Sequence, residues 1–226
     1  MYKKTSKLGL ILSSNLRSYI YLLYLIKNQI ALTHIVFLKD KREKKYNKKI
    51  IRYLIKNRKK YVFKIFLSKR INNKKIITYL LNQKEKIFIV SLYPGLEGII
   101  RSSNLLKKKF FLHSHTGKLP KYKGSTTIYY SLLNESKIFC DTFFLNNKID
   151  QGRVVYSKQY PIPMNIYSIA NIYDAIIRVK NIILAISKLK NKNFNLRIRK
   201  KNYLKLNFYI IHPLLRYITY NKFKNV

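Results

Sequence analysis

Short apolar runs alternate with stretches of helical period along most of this chain, and that alternation limits the possible folds more than any other feature. Leu8–Leu12, Leu32–Leu38, Tyr61–Phe66, Lys86–Leu92, Lys109–His113, Ile138–Leu145 and Arg153–Tyr160 read as strands. Between them, Asn15–Lys27, Lys74–Asn82 and Gly124–Asn134 read as helices. So does Tyr46–Lys56, which sets Ile50, Ile51, Leu54 and Ile55 on one helical face, and a short helix is expected after the Pro94–Gly95 turn. A long helix from Ser168 to Lys190 closes the pattern. Consecutive strands separated by helices must cross over the sheet to pair in parallel. The expected fold is therefore α/β, a mostly parallel central sheet flanked by helices and joined by right-handed crossovers.

No internal repeat and no Gly/Ser-rich or Pro-rich linker divides the chain. We expect one domain over residues 1–190 and a short basic, aromatic extension over 191–226. Within the extension, FYIIHPLLRYITYNKF is expected to pack Ile210, Ile211, Leu214 and Leu215 onto the core. Near the N-terminus, Ser13, Asn15, Arg17 and Ser18 interrupt the apolar residues. A membrane-spanning helix needs about 20 mostly apolar residues, so a buried strand and helix fit better than an anchor. The lone Cys140 excludes an internal disulfide and suits a reducing cytoplasm.

Forty-eight basic residues face eight acidic ones, for a formal net charge of +40. Such a charge attracts phosphate-bearing partners, and any contact with nucleic acid is expected to be non-specific and to weaken steeply with salt. The lysines are spread along the whole chain rather than gathered in one arm, as in a protein from an AT-rich gene. One alternative reading is a nucleic-acid-binding protein, catalytically impaired, in which the aromatic and basic tail stacks on bases.

Against this background the twelve residues HSHTGKLPKYKG, His113 to Gly124, stand out. They hold two of the four histidines and two of the six glycines, and five of the six glycines fall between Gly95 and Gly152. Four of the eight acids, Glu97, Glu135, Asp141 and Asp150, lie in the same span. His113 and His115 are two apart at a strand's carboxyl end, the edge where open α/β sheets bind ligands. In an extended chain both rings face the same way, and imidazole exchanges protons near neutral pH. An aspartate beside such a ring fixes its tautomer and raises its basicity. Two polar loop histidines with structural hydrogen bonds remain the plainer reading of the same spacing. A metal site built on two His and one Asp lacks further ligands, so no metal is expected.

The stretch from Ile87 to Tyr156 resembles the formyltransferase family, which moves a formyl group from 10-formyltetrahydrofolate to an amine. The family motif runs Asn-x-His, then Leu-Pro, a basic or aromatic pair and Gly, with Leu-Asp-x-Gly further on. HSHTGKLPKYKG and Ile149–Gly152 (IDQG) stand in those places, in the same order and with the same strands and helices between them. The resemblance implies a Rossmann-like formyltransferase core. It puts His115 in the place of the catalytic histidine and Asp150 in that of the catalytic aspartate, with His113 where the family has its asparagine. That asparagine amide holds the formyl oxygen as negative charge builds, a task for which a charged His113 has a donor and a neutral one needs the right tautomer.

The resemblance also implies 10-formyltetrahydrofolate as formyl donor, its pterin gripped by backbone at Leu92, Tyr93, Pro94 and Gly95 and at Asn147, Lys148 and Ile149. It implies a small amine as acceptor, phosphorylated or nucleotide-linked, with an amino sugar the first candidate. Glycinamide ribonucleotide and methionyl-tRNA are the alternative acceptors. The SSNL at Ser13–Leu16 lacks the glycines of the ribonucleotide enzymes' phosphate loop. The 36 residues from 191 onward are few for the additional β-barrel of the tRNA enzymes.

Overall fold

The computed structural model describes residues 7–68, 70–92, 100–191 and 207–224. β1 (Leu8–Ser13), α1 (Leu16–Lys27), β2 (Leu32–Leu38), α2 (Lys44–Lys56), β3 (Val62–Phe66), α3 (Lys74–Leu81) and β4 (Ile87–Ser91) form the first half. α4 (Ser103–Lys108), β5 (Phe110–His115), α5 (Thr127–Glu135), β6 (Ile138–Phe144), β7 (Val154–Tyr160), α6 (Asp174–Asn191) and α7 (Pro213–Phe223) follow. The seven strands make one sheet in the order β3-β2-β1-β4-β5-β6-β7. β1, β2, β3, β4 and β5 pair in parallel with one another, whereas β6 runs antiparallel to both β5 and β7.

The period-two pattern of the strands divides the core into two layers. In β1, Leu10 and Leu12 face a layer shared with Tyr21, Leu22 and Leu25 of α1 and with Val179 and Ile182 of α6. Ile11 faces the opposite layer, with Phe88, Val90, Phe111 and Phe143 of the sheet and Ile76, Leu80 and Leu105 of the covering helices. A third cluster joins Ile128, Tyr129 and Leu132 of α5 to Ile138, Cys140, Ile211 and Phe223. Burial of these side chains supplies the main driving force for the fold, at about 25 cal/mol per Å² of apolar surface.

Several expected boundaries shift, each for a local reason. β5 continues to His115 rather than stopping at His113, because Ser114 and His115 pair with Thr142 and Asp141 of β6. α5 starts at Thr127 rather than Gly124, since Gly124 instead bridges to Phe208. Before α6 the chain makes a turn of 3₁₀-helix and a turn of π-helix over Ile166–Tyr173, where the sequence suggested one continuous helix. In the extension, Ile211 is buried as expected, but Ile210, Leu214 and Leu215 are 79%, 59% and 38% exposed. α7 is capped by His212 and begins at Pro213, and this phase turns Thr219 and Phe223 inward, four residues apart. Among the described residues, no helix is long and apolar enough to cross a membrane.

Candidate active site

The register of β5 against β6 places the two histidines. His113 lies opposite Phe143 and His115 opposite Asp141. Both rings leave the strand on the face that carries Phe111, at the carboxyl end of the sheet. The chain then turns through the loop from Thr116 to Thr126 before entering α5. Asp141 anchors this loop: its Oδ2 accepts a 2.7 Å hydrogen bond from the Leu119 amide, and burial pushes its carboxyl up.

His115 is 3% exposed and held on both sides of its ring. Nε2 lies 2.7 Å from the Tyr122 carbonyl oxygen and 3.0 Å from Thr127 Oγ1. Thr127 Oγ1 in turn donates to the Thr116 carbonyl at 2.5 Å. Because a carbonyl only accepts, Nε2 carries the ring's fixed proton and donates it to Tyr122. Nδ1 is then the nitrogen that gains or loses a proton, and it faces Asp150 Oδ2 at 3.6 Å. Asp150 comes from a loop 35 residues later in sequence (150 minus 115). Its backbone is left-handed, at φ 49°, and its Oδ2 accepts a 2.8 Å hydrogen bond from the Gly124 amide.

Two glycines make this packing possible. A Cβ on Gly117 would sit 3.0 Å from His115 Nε2, 3.0 Å from the Tyr122 carbonyl oxygen and 2.9 Å from Tyr122 Cβ. It would wedge apart the bond that fixes the His115 tautomer. Gly124 has φ 107°, and a Cβ there would meet the Phe208 carbonyl oxygen at 2.1 Å. Only glycine satisfies that angle together with that approach.

His113 is half-buried, with its ring edge-on to Phe143 at 5.7 Å between centroids. Burial, reinforced by the positive charge of Arg178, pushes its ring down to about 3. It is therefore neutral at physiological pH, and of the two forms open from the sequence it is the one that needs the right tautomer to donate. Nδ1 lies 3.4 Å from the Val90 carbonyl, so the tautomer drawn to that bond leaves a lone pair on Nε2.

Beneath β5 lies a charged cluster that sequence reasoning missed. Asp174, at the start of α6, is 4% exposed. It accepts from Arg178 Nε at 2.9 Å on both oxygens, from Arg17 at 3.1 Å and from Thr116 Oγ1 at 2.7 Å. Burial pushes its carboxyl up, but Arg178 and Arg17 outweigh burial and hold it below the usual range. Arg178 also donates to Thr116 Oγ1 at 2.9 Å and, through Nη1, to the Ser114 carbonyl. The residues on either side of His115 are thus tied to α6. A sequence signal existed: in a chain with eight acids, Asp174 precedes Arg178 by one helical turn in an apolar helix.

The residues implied for the formyl donor divide by position. Tyr93, Pro94 and Gly95, like the acid Glu97, lie outside the described residues. Leu92 is 4% exposed and packs in the core, so only its backbone can face a ligand. Asn147, Lys148 and Ile149 are exposed on the loop that ends at Asp150. The described part of this set is thus one core residue, Leu92, and an exposed loop that leads into Asp150. Glu135 accepts from the Tyr122 hydroxyl at 2.8 Å and from Lys121 at 2.5 Å, so it braces the loop from α5. At Ser13–Leu16 the Ser13, Asn15 and Ser18 amides are bonded internally, to Ser18 Oγ, the Ser13 carbonyl and Asn15 Oδ1. Those three amides are not available to cradle a phosphate. Among the described residues, no group of three or more His, Cys, Asp or Glu could hold a metal ion.

No family model and no curated protein matches the sequence. Solved structures do match. A sugar N-formyltransferase from a Shewanella species is similar at 17% identity and a TM-score of 0.57, over 95% of this chain and 87% of that one. A phosphoribosylglycinamide formyltransferase from Bacillus halodurans is similar at 11% identity and a TM-score of 0.56, over 85% of this chain and 100% of that one. HypX from Aquifex aeolicus, in complex with tetrahydrofolic acid, is similar at 13% identity and 0.57, over 93% of this chain and 31% of that one. The likeness is one of fold. This chain has the formyltransferase fold.

Proposed function

We propose that this chain is a folate-dependent formyltransferase that moves a formyl group from 10-formyltetrahydrofolate to a small amine, with a nucleotide-linked amino sugar as the acceptor. The observation that carries this reading is the approach of His115 and Asp150 to 3.6 Å at the carboxyl end of the sheet. An imidazole beside a carboxylate at the ligand-binding edge of the sheet can take a proton from an amine and return it to a leaving group. The similarity in fold to sugar N-formyltransferases and to a tetrahydrofolate-bound protein supports both the acceptor and the donor.

Bound, the folate donor supplies an electrophilic formyl carbon. The chain's own residues handle the protons. His115 keeps its Nε2 proton on the Tyr122 carbonyl, so the amine's proton passes to Nδ1, which gives it back to the nitrogen that departs from the formyl carbon. Asp150 stabilises the imidazolium formed there and orients the ring. His113 occupies the position of an oxygen-holding amide. It can donate from Nε2 only in the tautomer that gives up the long bond to Val90.

The test is incubation with 10-formyltetrahydrofolate and a panel of amines, with formylated product read by mass. Formylation of an amino sugar nucleotide, lost in His115→Asn, is expected. No product with any amine, from folded protein that binds folate, would overturn the reading.

A further inference from the structure

Both members of the His115–Asp150 pair lean on the same loop. Tyr122 and Thr127 bond His115, and the Gly124 amide bonds Asp150. That loop is itself clamped from a part of the chain more than eighty residues away (208 minus 124). The Phe208 amide donates to the Lys123 carbonyl at 2.7 Å, and the Phe208 carbonyl accepts from Ser125 at 2.8 Å, closing a bridge across Gly124. The Phe208 ring fills the space between Tyr122 and Tyr130, with centroids 5.4 Å and 4.6 Å away.

The next clamp sits on a strained residue. Thr126 is β-branched yet left-handed, at φ 50°. Such backbone is strained and persists only where the surroundings over-determine it. Here Thr126 Oγ1 accepts from the Ile211 amide at 2.8 Å and donates to the Tyr209 carbonyl at 3.2 Å. Behind this, the Tyr220 hydroxyl of α7 meets that of Tyr129 at 2.9 Å.

We propose that Asn207–Ile211 is a brace that positions the His115–Asp150 pair through the 122–127 loop, with Phe208 its principal positioning residue. The inference rests on the function proposed above for its consequence in turnover, but not for its structural content. By fixing the path of Lys123, Gly124 and Ser125, the brace keeps the Gly124 amide on Asp150 and the Tyr122 carbonyl on His115. The residue that sets the Nε2 proton on His115 is thereby controlled from the far end of the chain.

Phe208→Leu and Thr126→Ala, in the full chain, test it along two separate links. Tyr217→Ala, on an exposed position of α7, is the control. Ring-nitrogen NMR of His115, assigned by its loss in His115→Asn, reads the tautomer and the exchange of the Nε2 proton. Either brace variant should speed that exchange at least about tenfold, while the control leaves it unchanged. In formyl transfer, kcat should fall about 10–100-fold with the KM for the donor within about threefold, as a small displacement of a catalytic group does. If one variant fails to fold, the other decides. Folded Phe208→Leu and Thr126→Ala proteins with unchanged His115 ring signals would overturn the brace. If the native chain formylates nothing but the ring signals move as stated, the function fails and the brace stands.

Discussion

The Asp174 cluster gives the clearest energetic prediction. Two guanidinium groups meet one carboxylate below the end of β5, with side-chain exposures of 21% for Arg17, 10% for Arg178 and 5% for Asp174. Removing the carboxylate in Asp174→Ala leaves an uncompensated buried charge, which typically costs about 3–5 kcal/mol. Arg17 is the most exposed of the three and can turn toward water, so the lower end, about 3 kcal/mol, applies. For a domain of this size each kcal/mol is worth about 2–4 °C, so Tm should drop by about 6–12 °C. Replacing the whole cluster with apolar residues of similar volume, Arg17→Met, Asp174→Leu and Arg178→Met together, should recover most of that loss, because no charge is then left buried. Added salt should change the result little, since buried charges are poorly screened. The Asp174 carboxyl is held below its usual range, so its stabilisation is complete above about pH 4 and is lost as pH falls toward the folded value. Thermal melts by circular dichroism from pH 3 to 8 read all of this. An Asp174→Ala protein melting within about 2 °C of the native chain at pH 7 would refute the account of the cluster.

At the site itself, His115→Asn and Asp150→Asn should each lower formyl transfer by about two to three orders of magnitude, with native melting and folate binding retained. Activity within about tenfold of native in either variant would remove that residue from the chemistry. His113→Asn should keep kcat within about tenfold, since the amide can donate without a change of tautomer; a variant as inactive as His115→Asn would give His113 another task. Because folded His113 titrates at about 3, it favours unfolding as pH falls below its ordinary value of about 6.5. The penalty is absent above that pH and reaches about 2 kcal/mol at pH 5, and His113→Asn should abolish it in denaturant melts at pH 8 and pH 5. Gly117→Ala, which drives a methyl against the His115–Tyr122 bond, should cut kcat about 10–100-fold, and native turnover would show that the bond does not set the tautomer.

The parts of the fold legible in the sequence are those written in local periodicity. β2 ends where its apolar run ends, and β1 sorts Leu10 and Leu12 from Ile11 by the period of a strand. The reversal of β6 was not legible, because α5 between β5 and β6 reads the same for a parallel or an antiparallel partner. The two histidines stood out by their scarcity, yet their difference did not. Spacing puts both on one face, but only tertiary packing buries His113 against Phe143 near Arg178 and leaves it neutral.

What escaped the sequence altogether is how the site is held. The bonds from Phe208 to Lys123 and Ser125 are made by main-chain atoms, which every residue except proline offers in full, so no side-chain pattern announces them. Their one trace is Gly124, whose left-handed angle and 2.1 Å virtual Cβ contact leave no room for a side chain. In a chain with six glycines, Gly117 and Gly124 bracket the turn between the two bonds that hold His115 and Asp150. Each is required by close backbone or ring approach. The scarce residues of HSHTGKLPKYKG thus divide the work between chemistry and closeness: the histidines face the protons, and the glycines let the loop and the brace come near enough to hold them.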